Sequence, residues 1–406
     1  MIGNGFDLSY SLPTKYLNFL NVIEYLHGIY RANPHQLQEI NTVADILDNE
    51  GLCQKDSSLA ACYEKYEVYY KVTPIDEAVV ELLAELPVTN MWCSFLIETF
   101  NQDRGWIDFE QEIATVLEAF EDFLDKPKSV FDLKTFPENA TTRFIISHFL
   151  FFAGATRTGS YRFKPEFMIE QHKGSGAFYV NYDLLVEQLR RELLAFSDAL
   201  RLYLLFFVDK MVMQIPANDW ANEWFVKIKP DYVVSLNYTS TFEHFCPSSK
   251  IAHVHGNNNN SIVLGINADK NDDLATADTT FIAFKKYYQR IVFGTDNSYM
   301  SIIDEIKPRV NQCILTVMGH SLDITDRDII LELFELSGEI NILYHSQSAL
   351  GTYIAKLIEL FGKEGFDQIR YQKKLKFVSL SDDLDAFVED SIKKPEIPLL
   401  PQVYTF

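Results

Sequence analysis

From about residue 15 to residue 225, apolar positions recur at spacings of three and four, as in YLNFLNVIEYL, EAVVELLAEL, IDFEQEIATVLEAFEDFL and YDLLVEQLRRELLAFSDALRLYLLFFV. That period places the apolar residues on one face of an α-helix and predicts a helical region of about two hundred residues. Breaks at 33–34, 126–134 and 156–176 carry Pro, Gly or Asn, or lose the period, and divide the region into several helices. The apolar stretches at 144–155 and 202–213 are short and interrupted by polar residues, which predicts buried helices.

From residue 231 the pattern changes to compact β-type runs: DYVVSLN, KIAHVHG, SIVLGIN, NQCILTVMGH, EINILYHS and KLKFVSL. Helices are predicted between the later runs, at TDRDIILELFELSG and SALGTYIAKLIELFGKEG. Apolar runs buried on both faces and alternating with helices predict a largely parallel sheet. The opening IGNGFD reads as a strand-to-loop junction of that sheet, although only Met1 and Ile2 precede Gly3. The predicted fold is α/β: a Rossmann-like, largely parallel sheet with a large α-helical insertion after the first strand. Residues 1–14 and 228–406 are expected to form a nucleotide-binding domain, and residues 15–227 the inserted helical one.

Four polar stretches fall at loop positions directly after predicted strands. They are Gly3, Asn4, Gly5, Phe6 and Asp7; Ser235 to Thr239 with Asn237 and Tyr238; His253 to Gly256 with His255; and Gly319, His320, Ser321 and Leu322, followed by Asp323, Asp326 and Asp328. Ligands of open parallel sheets bind at the carboxyl ends of strands, so polar residues gathered at several such ends mark a candidate site. Each stretch also has a plain structural reading. A Gly-x-Gly turn lacks the third glycine of the dinucleotide fingerprint. Asn237 either caps the helix STFEHF, closes an Asx-turn or faces a ligand. His253 and His255 share one face of a regular strand, and His255, beside Gly256 at its end, is the better catalytic candidate.

Composition narrows the partners. With 36 Lys and Arg against 57 Asp and Glu, the formal charge is −21, which repels nucleic-acid backbones and anionic lipid. A local basic patch at Lys285, Lys286 and Arg290 is the one candidate exception. Five cysteines without CxxC spacing predict packed, reduced thiols. No membrane segment or leader pattern stands out, and a cytoplasmic protein is expected. His253 and His255 have no Cys/His quartet or HExxH helix beside them, so no metal is expected.

The opening IGNGFDLSYSLPTKYLNFL, with Leu12, Pro13, Thr14 and Tyr16, resembles the start of the AbiH family of bacterial abortive-infection proteins, which act against phage. WIDFEQEI (Trp106, Asp108, Glu110), SLNYTSTFE, HVHG, VLGIN and GHSLDITDRDI resemble its later motifs. AbiH-like proteins are in turn similar to the sirtuin-like NAD-binding superfamily. Gly3, Asn4, Gly5 and Asp7 would correspond to its glycine loop, Asn237 to its Thr-x-Asn stretch and His255 with Gly256, 18 residues on, to its His-Gly. Gly319, His320 and Ser321 resemble its later strand end near the adenosine. Asp7 stands where the superfamily has a small hydroxyl residue, Tyr238 and Thr239 replace a pair ending in Asp, and the zinc cysteines are missing.

The resemblance implies NAD as substrate or ligand and cleavage of the nicotinamide–ribose bond. In that chemistry Asn237 holds a ribose hydroxyl or the attacking water, His255 takes a proton, Asp7 stabilises developing positive charge, and the amides of Gly3 to Gly5 receive phosphate. Asp108 or Glu110 is either a lid contact over the site or part of a solvated acidic helix face. Partners implied are a nucleotide, a phage-derived trigger or second defence protein, and a further copy of the chain. A nucleotide-holding sensor without catalysis is the alternative. A Mg²⁺ nuclease built on Asp323, Asp326 and Asp328 is a weaker one.

Overall fold

The structure is a computed structural model and describes residues 1–100, 109–124, 130–132, 141, 144, 148–153, 160–170, 178–216, 219, 223–266, 280–372 and 374–393. Trp106, Asp108 and Asn267 lie outside the described residues, as do 126–129 and 133–134 of one break and 156–159 and 171–176 of another. The fold is a mostly helical α/β arrangement with small parallel sheets. Its residues form two compact units, one of 13–207 and 258–293, the other of 1–12, 208–257 and 294–406.

The first unit is built on helices that include Tyr16–Ala32, Ser57–Tyr70, Glu77–Thr89, Phe109–Leu124 and Tyr182–Leu204. Their threefold and fourfold apolar spacing is realised as buried stripes. Phe19, Val22, Ile23 and Leu26 are inside on one helix, and Leu185, Leu189, Leu193, Phe196, Leu200 and Tyr203 on another. Burying one such Leu or Phe side chain is worth about 2 kcal/mol. The region is not wholly helical. Short antiparallel strands β1 (Val130–Asp132), β2 (Leu150–Ala153) and β3 (Ser160–Phe163) form one sheet, and β4 (Met168–Glu170) pairs with β5 (Phe178–Val180). The 144–155 stretch expected as a helix is therefore partly strand, its β-branch-free but aromatic run LFFA laddering against β3.

The second unit holds the parallel strands β6 (Tyr232–Ser235), β7 (Lys250–His253), β8 (Cys313–Met318), β9 (Ser337–Tyr344) and β10 (Leu375–Ser379). β6 pairs with β7, and β8, β9 and β10 run in the order β10-β9-β8. Ile2 makes parallel bridges to both Ser235 and Met318. Its amide donates to the Val234 carbonyl and its carbonyl accepts from Leu236, while the Gly3 amide donates to Met318. Two residues thus do the work of a strand, which answers the near absence of a first strand in the sequence. Val234, Ala252, Val317, Ile340 and Ile342 meet Ile302, Ile330, Leu333 and Leu357 of the flanking helices in the core. The helices predicted after β8 and β9 are Arg327–Leu336 and Gln347–Tyr371, the latter broken at Gly362.

One predicted strand is absent. In SIVLGIN, Ile262, Val263 and Leu264 are buried, but the backbone of Leu264 is satisfied by a side chain: Gln289 accepts from its amide at 2.9 Å and donates to its carbonyl at 3.0 Å. The segment packs with the helical unit instead of joining the parallel strands. The basic trio is also not a surface patch. Lys285, Lys286 and Arg290 are buried, and Lys286 Nζ pairs with Glu110 at 2.7 Å, which takes Glu110 out of the solvated-face reading. Among the described residues, no single helix is long and apolar enough to cross a membrane.

Candidate functional site

Because β6, β7, β8 and the Ile2 segment run parallel, the loops that follow them emerge on one edge. That edge gathers the residues that the sequence had singled out, and the contacts between loops are direct. The Gly5 amide donates to the Gly319 carbonyl at 2.7 Å. A Cβ on Gly319, which has φ +67°, would lie 2.2 Å from the Phe6 nitrogen, and one on Gly3 would lie 2.6 Å from the Cα of His320. The glycines are therefore required by backbone packing against backbone.

This has a consequence for phosphate binding. The amides of Gly3, Gly5 and Phe6 donate to Met318, Gly319 and Gly3 carbonyls, so the first loop does not present them as an anion cradle. Phe6 is fully buried among Phe225, Phe242, Phe245 and Tyr10, which gives it a packing role. Gly5–Ser9 is a short helix that carries Asp7 inward, while Asn4 is exposed.

Asp7 is 1% exposed, and its Oδ2 accepts from the Thr239 hydroxyl at 2.6 Å. Its Oδ1 has no hydrogen-bond partner among the described residues. Burial drives its carboxyl up to about 7; the Thr239 hydroxyl opposes the shift, and the Asp209 carboxylate adds to it. Asp209 itself accepts from the Ser240 amide at 3.1 Å.

Asn237 is 4% exposed, and neither carboxamide atom has a hydrogen-bond partner among the described residues. It does not cap the following helix, which begins at Thr241 after Ser240. Its backbone is held instead: the Ser235 hydroxyl accepts from its amide at 3.2 Å, and its carbonyl lies 3.3 Å from His253 Nδ1. Leaving a buried amide unbonded costs about 2 kcal/mol.

The two histidines of HVHG have separate surroundings. His253 Nε2 lies 3.2 Å from Glu243, whose carboxyl that contact holds below the usual range. His255, 3% exposed, has its Nε2 3.0 Å from Asp326 Oδ1, off the line of a straight hydrogen bond. Its ring lies 6.2 Å from that of the half-buried Tyr238. The turn at Gly256, with φ +74°, redirects the chain immediately afterwards.

His320 Nε2 lies 3.1 Å from Asp326 Oδ2, and its Nδ1 accepts from the Leu322 amide at 3.0 Å. Both ring nitrogens are engaged, so His320 does not offer one to an adenosine; Ser321 beside it is exposed. Asp326, which the sequence placed only in a loose carboxylate group, is buried and lies between two imidazoles. Asp323 caps Thr325 and pairs with Lys356, and Asp328 is exposed, so the three acids do not act together. Among the described residues no group of three or more His, Cys, Asp or Glu side chains could hold a metal ion. The five cysteines are unpaired thiols.

This edge combines a carboxamide with open valences, a carboxyl displaced toward neutrality and an imidazole backed by a carboxylate. Such a set can bind a polyhydroxylated or amide-bearing small molecule and move a proton on it. Among known proteins, no curated protein and no solved structure matches the chain. A family model does: that of the bacteriophage abortive infection AbiH proteins matches residues 1–342, from the glycine loop through β8 and most of β9. The chain therefore belongs to the AbiH family and is a phage-defence protein of the abortive-infection kind.

Proposed function

We propose that this protein contributes to abortive infection by binding NAD⁺ at the carboxyl ends of its parallel strands and hydrolysing the nicotinamide–ribose bond. The observation that carries the reading is the Asn237 carboxamide, buried with both polar atoms unbonded among the described residues. A native protein retains such a group where something else completes its hydrogen bonds, and a ribose hydroxyl or an attacking water does so here. The reading takes Ile2 with β6–β10 as a Rossmann-like sheet, in the order β7-β6-Ile2-β8-β9-β10, and is supported by the resemblance of the glycine loop, Asn237 and His255 to sirtuin-like motifs.

The chemistry asks for an oxocarbenium-like state to be stabilised and a water to be oriented. His255 accepts the proton from that water, and Asn237 positions it. Asp7, displaced to about 7, donates to a sugar oxygen when protonated and faces the developing positive charge when ionised. Phosphate is held by side chains and by loops other than Gly3 to Gly5, whose amides are engaged. In a second reading the same strand ends hold the nucleotide without turnover and the protein acts as a sensor for a phage-derived trigger.

The test is a timed assay of purified protein with NAD⁺, reading nicotinamide release by chromatography. Turnover in the parent that vanishes in Asn237→Ala and His255→Ala, both still folded, supports the hydrolase. Binding without turnover moves the assignment to the sensor. Absence of both sinks the cofactor.

A further inference from the structure

We infer that Asp326 is the positioning residue of this site: its carboxylate fixes which nitrogen of His255 carries the proton, using His320 as the fixed end of the arrangement. The inference rests on the role proposed for His255, but it is read from a juxtaposition of its own. Asp326 presents Oδ2 to His320 Nε2 at 3.1 Å and Oδ1 to His255 Nε2 at 3.0 Å. All three side chains are buried.

The tautomer of His320 is settled by its other neighbour. The Leu322 amide donates to Nδ1 at 3.0 Å, so Nδ1 is an acceptor and the ring proton of the neutral imidazole sits on Nε2, directed at Asp326. Leu322 adopts a left-handed backbone, φ +54°, with its amide there, a conformation that non-glycine residues rarely take. Oδ2 is engaged by His320, and Oδ1 lies 3.0 Å from His255 Nε2, off the line of a straight hydrogen bond. A carboxylate oxygen at that distance repels a nitrogen lone pair and attracts an N–H, so it favours the His255 proton on Nε2. Nδ1 is then the nitrogen that gains and loses a proton as the imidazole works. A buried carboxylate behind a histidine acts in the same way in hydrolytic triads, where its amide replacement leaves the wrong tautomer.

The exchange Asp326→Asn makes a specific demand. A carboxamide has one accepting oxygen and one donating nitrogen, so it cannot serve two Nε2–H groups. His320 is pinned by Leu322 and keeps the oxygen, and the amide NH₂ then confronts His255 Nε2, which must become an acceptor. The proton of His255 moves to Nδ1.

The experiment uses the full chain labelled with ¹⁵N-histidine, with imidazole tautomers read at pH 8 from long-range ¹H–¹⁵N correlations. His255→Gln and His320→Gln serve only to assign the signals. The expected result is Nε2–H on both rings in the parent, and in Asp326→Asn an unchanged His320 beside a His255 inverted to Nδ1–H. An unprotonated Nε2 on His255 in the parent overturns the inference even if the variant fails to fold. A His255 that keeps its tautomer in a folded Asp326→Asn variant overturns it as well. In the nicotinamide-release assay the same variant is expected to lose at least tenfold in kcat with KM little changed, and Asp326→Glu to recover part of the loss. A parent that does not turn over NAD⁺ defeats the proposed reaction while the tautomers still decide the role of Asp326.

Discussion

Two buried aspartates, one in each unit, show how differently the same side chain can be used. Asp56, in the helical unit, accepts from the amide groups of Asn18 at 2.8 Å and Asn21 at 2.9 Å, from the Ser58 hydroxyl at 2.7 Å and from the amides of Ser58 and Leu59. Burial alone would raise its carboxyl, yet these donors, led by Asn21, outweigh burial and hold it below the usual range. Asp7 is at least as buried but has only the Thr239 and Thr241 hydroxyls to oppose that burial, and its carboxyl rises to about 7. Asp56 is a cap with all its valences in use; Asp7 keeps an oxygen open and a proton within easy reach. Deeper burial, fewer donors and the Asp209 carboxylate together separate Asp7 from the structural Asp56.

The contrast can be broken by substitution. Asp56→Ala removes the cap of helix Ser57–Tyr70 and strands two buried carboxamides, and is expected to cost about 4 kcal/mol, measured by urea unfolding at pH 7. A loss below about 1 kcal/mol would remove Asp56 from the structural class.

Asp7→Asn is expected to act in the opposite direction and only at high pH. The folded pKa of Asp7 lies above its unfolded value, so the native state binds the extra proton between about pH 4 and 7. Its contribution is therefore fully present at low pH, declines as pH rises and is gone above about 7. Asparagine does not titrate. The variant's stability relative to the parent should be lowest near pH 4 and should grow by about 4 kcal/mol by pH 8. A parent and variant with parallel stability curves would show that Asp7 is ionised throughout.

Much of this was legible in the chain. The runs DYVVSLN, KIAHVHG, NQCILTVMGH, EINILYHS and KLKFVSL became β6 to β10, because buried parallel strands leave continuous apolar stretches. The loop residues at their ends also stood out, since glycine, asparagine and histidine there break that apolar texture. SIVLGIN misled for the same reason. Its apolar run is buried, but a glutamine side chain, with no signature in the pattern, takes the place of a neighbouring strand. Asp326 was seen only as one acid among three, because its pairing with two histidines is set by tertiary approach. The glycine loop was read as a phosphate cradle, whereas Gly3 and Gly5 are glycines because the Gly319 loop leaves no room for a Cβ.

Asn237 is kept for a ligand and not for the fold if the hydrolase proposal holds. The most direct measurement pairs urea unfolding with calorimetric titration of NAD⁺ for the parent and Asn237→Ala. Since the carboxamide makes no hydrogen bond within the described protein, stability should not fall by more than about 1 kcal/mol, while NAD⁺ affinity falls at least tenfold. A variant destabilised by about 2 kcal/mol or more, with NAD⁺ binding unchanged or absent in both proteins, would contradict it.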